Sequence, residues 1–308
     1  MRVLLPIKMT IGTNGFSDSE NYPAWDINTT YAAGDKVIRS VPSDHLSIDI
    51  PNIDYIFEAA GNNTTSDPAT DPLGWINLGA PDNYKAFDNT ATTQGFLEQN
   101  EYVEVLAHRV SAVFLGQMES DVLIEMRIGD SDDIIFSKEV FYTGLIYNPT
   151  SGWYDYFYPE LIEETGSQDV FVEFPTNDYN MRIRITALKD NGAKIGRIAV
   201  GSLMDIGETK ISPNIGIIDY SVKETDANGN TILKVRKFAK RAEIDVLIKT
   251  NNFDVVLAVL SRLRARPTAW IGSGKFSALV LYGFFRDFSL ILSGENYSDC
   301  SLQLEGLT

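Results

Sequence analysis

Nucleophilic catalysis needs a histidine beside a serine or cysteine, and this chain has few such groups to arrange. Its only histidines are His45 and His108, and its only cysteine is Cys300. The two histidines fall in different segments of the chain, and no Gly-x-Ser-x-Gly elbow occurs. His108, next to Arg109, reads as a surface or turn residue. Cys300, in Asp299-Cys300-Ser301-Leu302, reads as a small buried residue of a strand. A single thiol supplies neither an intrachain disulfide nor a cysteine-based zinc site. Gly272-Ser273-Gly274-Lys275 resembles a phosphate loop, but Ala269 replaces the earlier glycine and Phe276 the magnesium-holding hydroxyl. A strand-to-strand turn is expected there. Asp226-Ala227-Asn228-Gly229-Asn230 carries calcium-loop residue types with its glycine too early for an EF-hand, so a hairpin loop is expected. Asp130-Ser131-Asp132-Asp133 holds oxygen ligands and reads as a solvated turn. Neighbouring carboxylates such as Glu163-Glu164 are abundant among 42 acidic residues, so no pair is nominated for glycoside hydrolysis. The expectation is a protein that is not an enzyme and holds no cofactor or metal.

Binding chemistry is better represented. Trp25, Tyr31, Tyr55 and Trp75 are spread through a segment rich in turn formers. A flat ring offers an apolar, polarisable face to the C–H side of a pyranose, and nearby Asn and Asp groups bond the hydroxyls. The same rings also suit the core of a module of this size, which has few other apolar residues to bury. The core reading is favoured for Trp25 and Tyr31.

These residues sit in a chain of 308 residues, 44% hydrophobic and 22% charged, which suits two or three packed domains. Three segments separate by composition. Residues 1–85 are aromatic and turn-rich, with short strands expected at 36–39 and 54–59. Residues 86–204 read as successive strands at 101–106, 111–115, 121–128, 134–142, 169–174 and 181–188. In Met181-Arg182-Ile183-Arg184-Ile185-Thr186 the apolar residues take one face and the cations the other. Repeated short strands of this kind predict a β-sandwich. Residues 205–308 mix strands at 217–224, 231–236, 278–282, 288–292 and 300–304 with one helix over 252–265. Phe253, Val256, Leu257, Leu260 and Leu263 recur at helical spacing, Asn251 or Asn252 can cap it, and Pro267 stops it. The fold class is mainly β with one helix laid across a sheet.

Charge divides the chain differently. Residues 1–205 hold 31 acids against 13 bases, and residues 206–308 hold 11 against 13. The acidic part repels nucleic acid and anionic membranes, and the nearly neutral part suits packing against other subunits. No apolar run reaches membrane-spanning length, and the first residues are too short an apolar stretch for a signal peptide. Neither nucleic acid nor membrane insertion is expected, and synthesis in the cytoplasm is.

The order Trp25, then Tyr31-Ala32-Ala33-Gly34-Asp35-Lys36-Val37, then Tyr55-Ile56-Phe57-Glu58-Ala59, Pro72 and Trp75-Ile76-Asn77-Leu78-Gly79 resembles chitin-binding modules of carbohydrate-binding families 5 and 12. It implies a carbohydrate site on Tyr55, Trp75, Trp25 and Tyr31. Two features depart from the pattern: an insertion over 40–54, and Gly61-Asn62-Asn63 where an exposed aromatic pair often stands. Across the whole chain, Met1–Pro6, this module, Asn83-Tyr84-Lys85-Ala86-Phe87-Asp88, Trp153-Tyr154-Asp155-Tyr156-Phe157, Ala199-Val200-Gly201 and the runs at 219–223, 238–241, 270–272, 282–284 and 300–307 are similar to tail-tip proteins of siphophages and transposable phages. That resemblance implies a galactose-binding-like jelly roll in the middle segment and a non-enzymatic subunit of the virion tail tip or baseplate. Its partners would be copies of itself, other tail proteins and cell-surface polysaccharide. Residues 206–308 would pack into a ring and residues 1–204 would project from it.

Overall fold

The computed structural model describes residues 1–12, 16, 22–42, 52–61, 64–88, 90, 93–129, 131–142, 145–147, 161–163, 168–175, 179–211, 213–225, 231–274 and 276–307. His45, Asn62, Asn63, Asp130, the 153–157 aromatics, Glu164, the 226–230 loop and Lys275 lie outside them. The first segment contains β1 (Arg2–Pro6), β2 (Met9–Ile11), β3 (Lys36–Pro42), β4 (Asn52–Ala59) and β5 (Trp75–Gly79). The middle contains β6 (Gly95–Leu97), β7 (Tyr102–His108), β8 (Ala112–Met118), β9 (Val122–Ile128), β10 (Ile134–Val140), β11 (Leu145–Tyr147), β12 (Leu161–Glu163), β13 (Gln168–Glu173), β14 (Asn180–Ala187), β15 (Ala193–Ile195) and β16 (Arg197–Asp205). The last contains β17 (Glu208–Thr209), β18 (Asn214–Asp219), β19 (Val222–Thr225), β20 (Thr231–Lys234), β21 (Phe238–Lys249), helix α1 (Phe253–Arg262), β22 (Thr268–Ile271), β23 (Val280–Ile291) and β24 (Tyr297–Gly306).

The molecule is therefore mainly β with one helix among the described residues, as the sequence pattern requires. Two sheets face each other in the middle segment. One runs β10-β9-β14-β7-β2 and the other begins β13-β8-β16. Alternation fills the space between them: Val103 and Val105 of β7, Ile124 and Met126 of β9, and Met181, Ile183 and Ile185 of β14 meet Val113, Leu115, Ile198 and Val200. The intervening Arg182 and Arg184 take the outer face, where Arg184 reaches Glu104 at 2.7 Å. This is the two-residue period of a pleated strand with one face in the core.

The second sheet does not stop at the expected boundary near residue 204. It continues β16-β1-β22-β23-β24-β21, all antiparallel, with β17 and β18 along the remaining edge of β21. Strand β1 lies between β16 and β22, and β2 pairs with β7. Residues 2–11 thus belong to the large sheets rather than to the 1–85 module, because Val3 and Leu4 are buried on both faces of the sheet. Thr268 Oγ1 donates to the Leu4 carbonyl, which binds the first and last thirds together.

The sheet is strongly curled. Strands β8 and β23 are separated by β16, β1 and β22, a span of about 19 Å in a flat sheet at about 4.8 Å per strand. Yet the rings of Phe114 and Tyr282 stack at 5.3 Å with planes 16° apart. Lys240 on β21 also reaches Asp169 on β13 at 2.7 Å. On the other face α1 packs Val256 and Leu260, with Leu263 just beyond it, against Ile244, Val246, Trp270, Leu281 and Leu302. Helix α1 is shorter than the expected 252–265. A 3-10 turn (Thr250–Asn252) leads into it, Asn252 occupies its N-cap without a side-chain cap bond, and Leu257 faces solvent.

Candidate recognition and assembly surfaces

Strands β3-β4-β5 form a separate three-stranded sheet, the framework of the aromatic module. Pairing of β3 with β4 runs out to Pro42 and Asn52, so both ends of the 40–54 insertion are hairpin strand, and 43–51 lie outside the described residues. Gly34 follows the Ala32–Ala33 turn at φ 89°, a left-handed conformation that glycine adopts without a Cβ penalty.

The four proposed sugar-contacting rings do not form a platform. Trp75 is 2% and Tyr31 7% exposed, and their rings meet edge to face at 5.3 Å. With Val37, Phe57 and Ala59 they are the module's core, and Trp75 Nε1 donates to the Ser66 carbonyl at 2.9 Å. A ring enclosed on both faces cannot stack on a pyranose, so the carbohydrate assignment of Tyr31 and Trp75 is corrected to a packing role. Tyr55 is partly buried and touches this core and the sandwich core together. It follows Ile53, which is buried in the sandwich core. One face of β4 thus serves two cores, and that seats the module. Trp25, like Tyr55, is only partly buried. Arg39 lies over the Trp25 ring at 5.0 Å and holds Asp67 through Nε and a terminal nitrogen, at 3.2 and 3.0 Å. Trp25 Nε1 is buried and makes no hydrogen bond.

Behind Tyr55 lies a buried polar junction. Asp88 is 1% exposed; Thr93 Oγ1 and the Thr90 amide donate to its carboxylate at 2.8 and 2.9 Å. Arg197 of β16 donates to the Asp88 carbonyl and lies over the Tyr282 ring at 5.0 Å. Burial pushes the Asp88 carboxyl up to about 6, against those two hydrogen bonds and the charges of Arg197 and Lys85. Burial, and then the nearby Asp88, raises Tyr55 as well. The local sequence signal was weak, since Asp88 is one acid among many.

Gly272–Gly274 lie between antiparallel strands β22 and β23. Asp132 is held by Arg127 at 3.1 Å and Arg182 at 3.4 Å. His108 ends β7 with Nδ1 3.1 Å from Asn180 Oδ1. Among the described residues no three His, Cys, Asp or Glu side chains cluster as metal ligands. Among the described residues no helix is long and apolar enough to cross a membrane.

The largest departure from the expected strands is a ribbon. Residues 217–224 read as one strand, but Tyr220 and Ser221 divide it into β18 and β19. The antiparallel pairing then resumes with shifts of register: Glu208 faces Leu247, Asn214 faces Glu243, Asp219 faces Phe238, and, one residue out of step, Val222 faces Lys234 and Thr225 faces Thr231. The Tyr220 amide donates to the Lys237 carbonyl at 3.2 Å, linking the two stretches. Residues 208–209, 214–219 and 222–225 therefore run in succession along 231–247 as a two-stranded ribbon. Its base is covered by β24, whose pairing with β21 starts at Arg241 and Glu305. Beyond that point the ribbon is an arm with no sheet beside it among the described residues. Seven steps from 238 to 231, at about 3.3 Å each, give this stretch an extended length of roughly 23 Å, and at its base the Tyr220 hydroxyl donates to Glu305 at 3.0 Å. Along it Ile217 is 63%, Leu233 68%, Val235 87% and Phe238 54% exposed.

Comparisons of the chain with protein-family models, with curated proteins and with solved structures found no match.

Proposed function

We propose that this chain is a non-enzymatic structural subunit of a bacteriophage tail tip or baseplate, working by presenting β surfaces to neighbouring subunits. The observation that carries the assembly role is the arm. An isolated two-stranded ribbon is marginal in water, because it has main-chain bonds but no core. This one also exposes Ile217, Tyr220, Leu233, Val235 and Phe238. Covering a side chain of this type contributes about 1.5–3 kcal/mol, so a partner that encloses several gains more than a monomer can. The assignment to a phage tail rests on the resemblance of the chain's short sequence runs. In this reading residues 206–308 pack toward the tail axis and the aromatic module stands outward, with its buried rings serving stability.

The test uses the register. Asp219 and Phe238 are opposite each other, so residues 220–237 can be replaced by Asn-Gly, a two-residue hairpin turn, without disturbing the body. The full chain is expected to self-associate or to enter tail particles, and the shortened chain to remain folded and monomeric. Normal tails assembled from the armless chain, or particles lacking the chain that still have normal tails, would remove the proposal. Product released from cell-wall or capsular polysaccharide by the purified chain would remove its non-enzymatic part.

A further inference from the structure

We infer that the arm is received by the outer edge of strand β10 in a second copy of this chain, a head-to-tail contact between unlike surfaces. The inference rests on the assembly reading above and names its partner. Between Asp219 and Arg241 the sequence carries six Lys or Arg against three Asp or Glu, whereas residues 1–205 carry 31 acids against 13 bases. Two arms meeting each other would set cations against cations. An arm meeting the first two-thirds of another copy sets them against acids, which steers the encounter and excludes the like-charged alternative. Lys223, Arg236 and Lys237 make no ion pair among the described residues.

Strand β10 has the matching pattern. It is the outermost strand of its sheet among the described residues. Ile134 and Ile135 are exposed on it and Phe141 just after it, with Asp133, Lys138 and Glu139 at the surface beside them. The arm's returning strand alternates Leu233 and Val235 with Lys234 and Arg236, also at the surface. An exposed, apolar edge strand is a template for another strand: main-chain hydrogen bonds give the contact its affinity and alternate side chains its register. Because donor and acceptor are different surfaces of one chain, the contact repeats, closing into a ring where the rotation allows and otherwise growing as a filament.

The experiment has two readouts on the full chain. Sedimentation first establishes whether the chain associates. Carbodiimide coupling of a mixture of light and heavy-isotope chains then locates the contact by mass spectrometry. Intermolecular links from Lys234 or Lys237 to Asp133 or Glu139 are expected. The double variant Lys234→Glu with Lys237→Glu is expected to associate about tenfold more weakly at low salt. Mixing it with Asp133→Lys, Glu139→Lys chains is expected to restore association. An associating chain whose links join arm to arm, or reach other parts of the neighbour, overturns the β10 assignment and leaves the assembly reading standing. So does association only with a different tail protein. A chain that stays monomeric and enters no tail particle overturns both.

Discussion

The buried carboxylate of Asp88 gives the sharpest quantitative expectation. Its folded-state value of about 6 lies above the ordinary carboxylate value of 3.8. The folded chain therefore binds the Asp88 proton more tightly than the unfolded chain does. Stability from this group is fully present below the unfolded value and declines as pH rises through 4 to 6, staying low above that. A shift of roughly two units corresponds to about 3 kcal/mol at neutral pH, at about 1.4 kcal/mol per unit. Asp88→Asn keeps an oxygen to accept from Thr93 and the Thr90 amide and cannot ionise. The variant is expected to be more stable than the parent by up to about 3 kcal/mol at pH 7.5, with the advantage shrinking toward pH 4.5. For a chain of this size that is a melting-temperature difference of several degrees. Paired melts across this pH range isolate the group, because every other titration is common to both chains. An equal difference at both ends of the range would refute the reasoning, as would a variant less stable than the parent at pH 7.5. Either would mean that Arg197 and Lys85 hold Asp88 ionised.

Three further outcomes follow from packing. Cys300 is 1% exposed, and burial, with the Asp245 charge, pushes its thiol up to about 12. It should ignore a thiol reagent at pH 8 until urea is added, and fast labelling of the native chain would contradict its place in the core. Trp75→Ala removes a ring packed on Tyr31 and a bond to Ser66, and should cost the module about 3–5 kcal/mol. A loss below about 1 kcal/mol in urea unfolding would place the ring outside the core. Gly283→Ala would drive a Cβ into the Glu305 carbonyl oxygen and to 2.7 Å from Gly306 Cα, prying β23 from β24. Destabilisation beyond about 3 kcal/mol, or insoluble protein, is expected, and parental yield and melting temperature would show that the strands adjust.

Local pattern made much of this protein legible in its sequence. The alternation through Met181–Thr186 placed the core and outer faces of β14 correctly, and the recurrence of Val256, Leu260 and Leu263 placed the helix. Both follow from geometry a strand or helix has by itself, the two-residue and 3.6-residue periods. Pairing partners were not legible, since they join residues far apart in the chain. Nothing in Arg2–Pro6 announces that it will sit between β16 and β22, and β21 and β23 were missed as long strands because Lys240-Arg241 and Arg286-Asp287 interrupt their apolar alternation. The rings of Tyr31 and Trp75 suit a sugar site or a core, with the core favoured for Tyr31, until β3, β4 and β5 enclose them. Asp88 is an ordinary aspartate by composition, and only the packing of β4 and β16 around it withdraws it from water. The arm depends on the same distinction. Its strands were partly foreseen, but tertiary structure decides where β24 stops covering β21, and so where a sheet becomes an exposed ribbon.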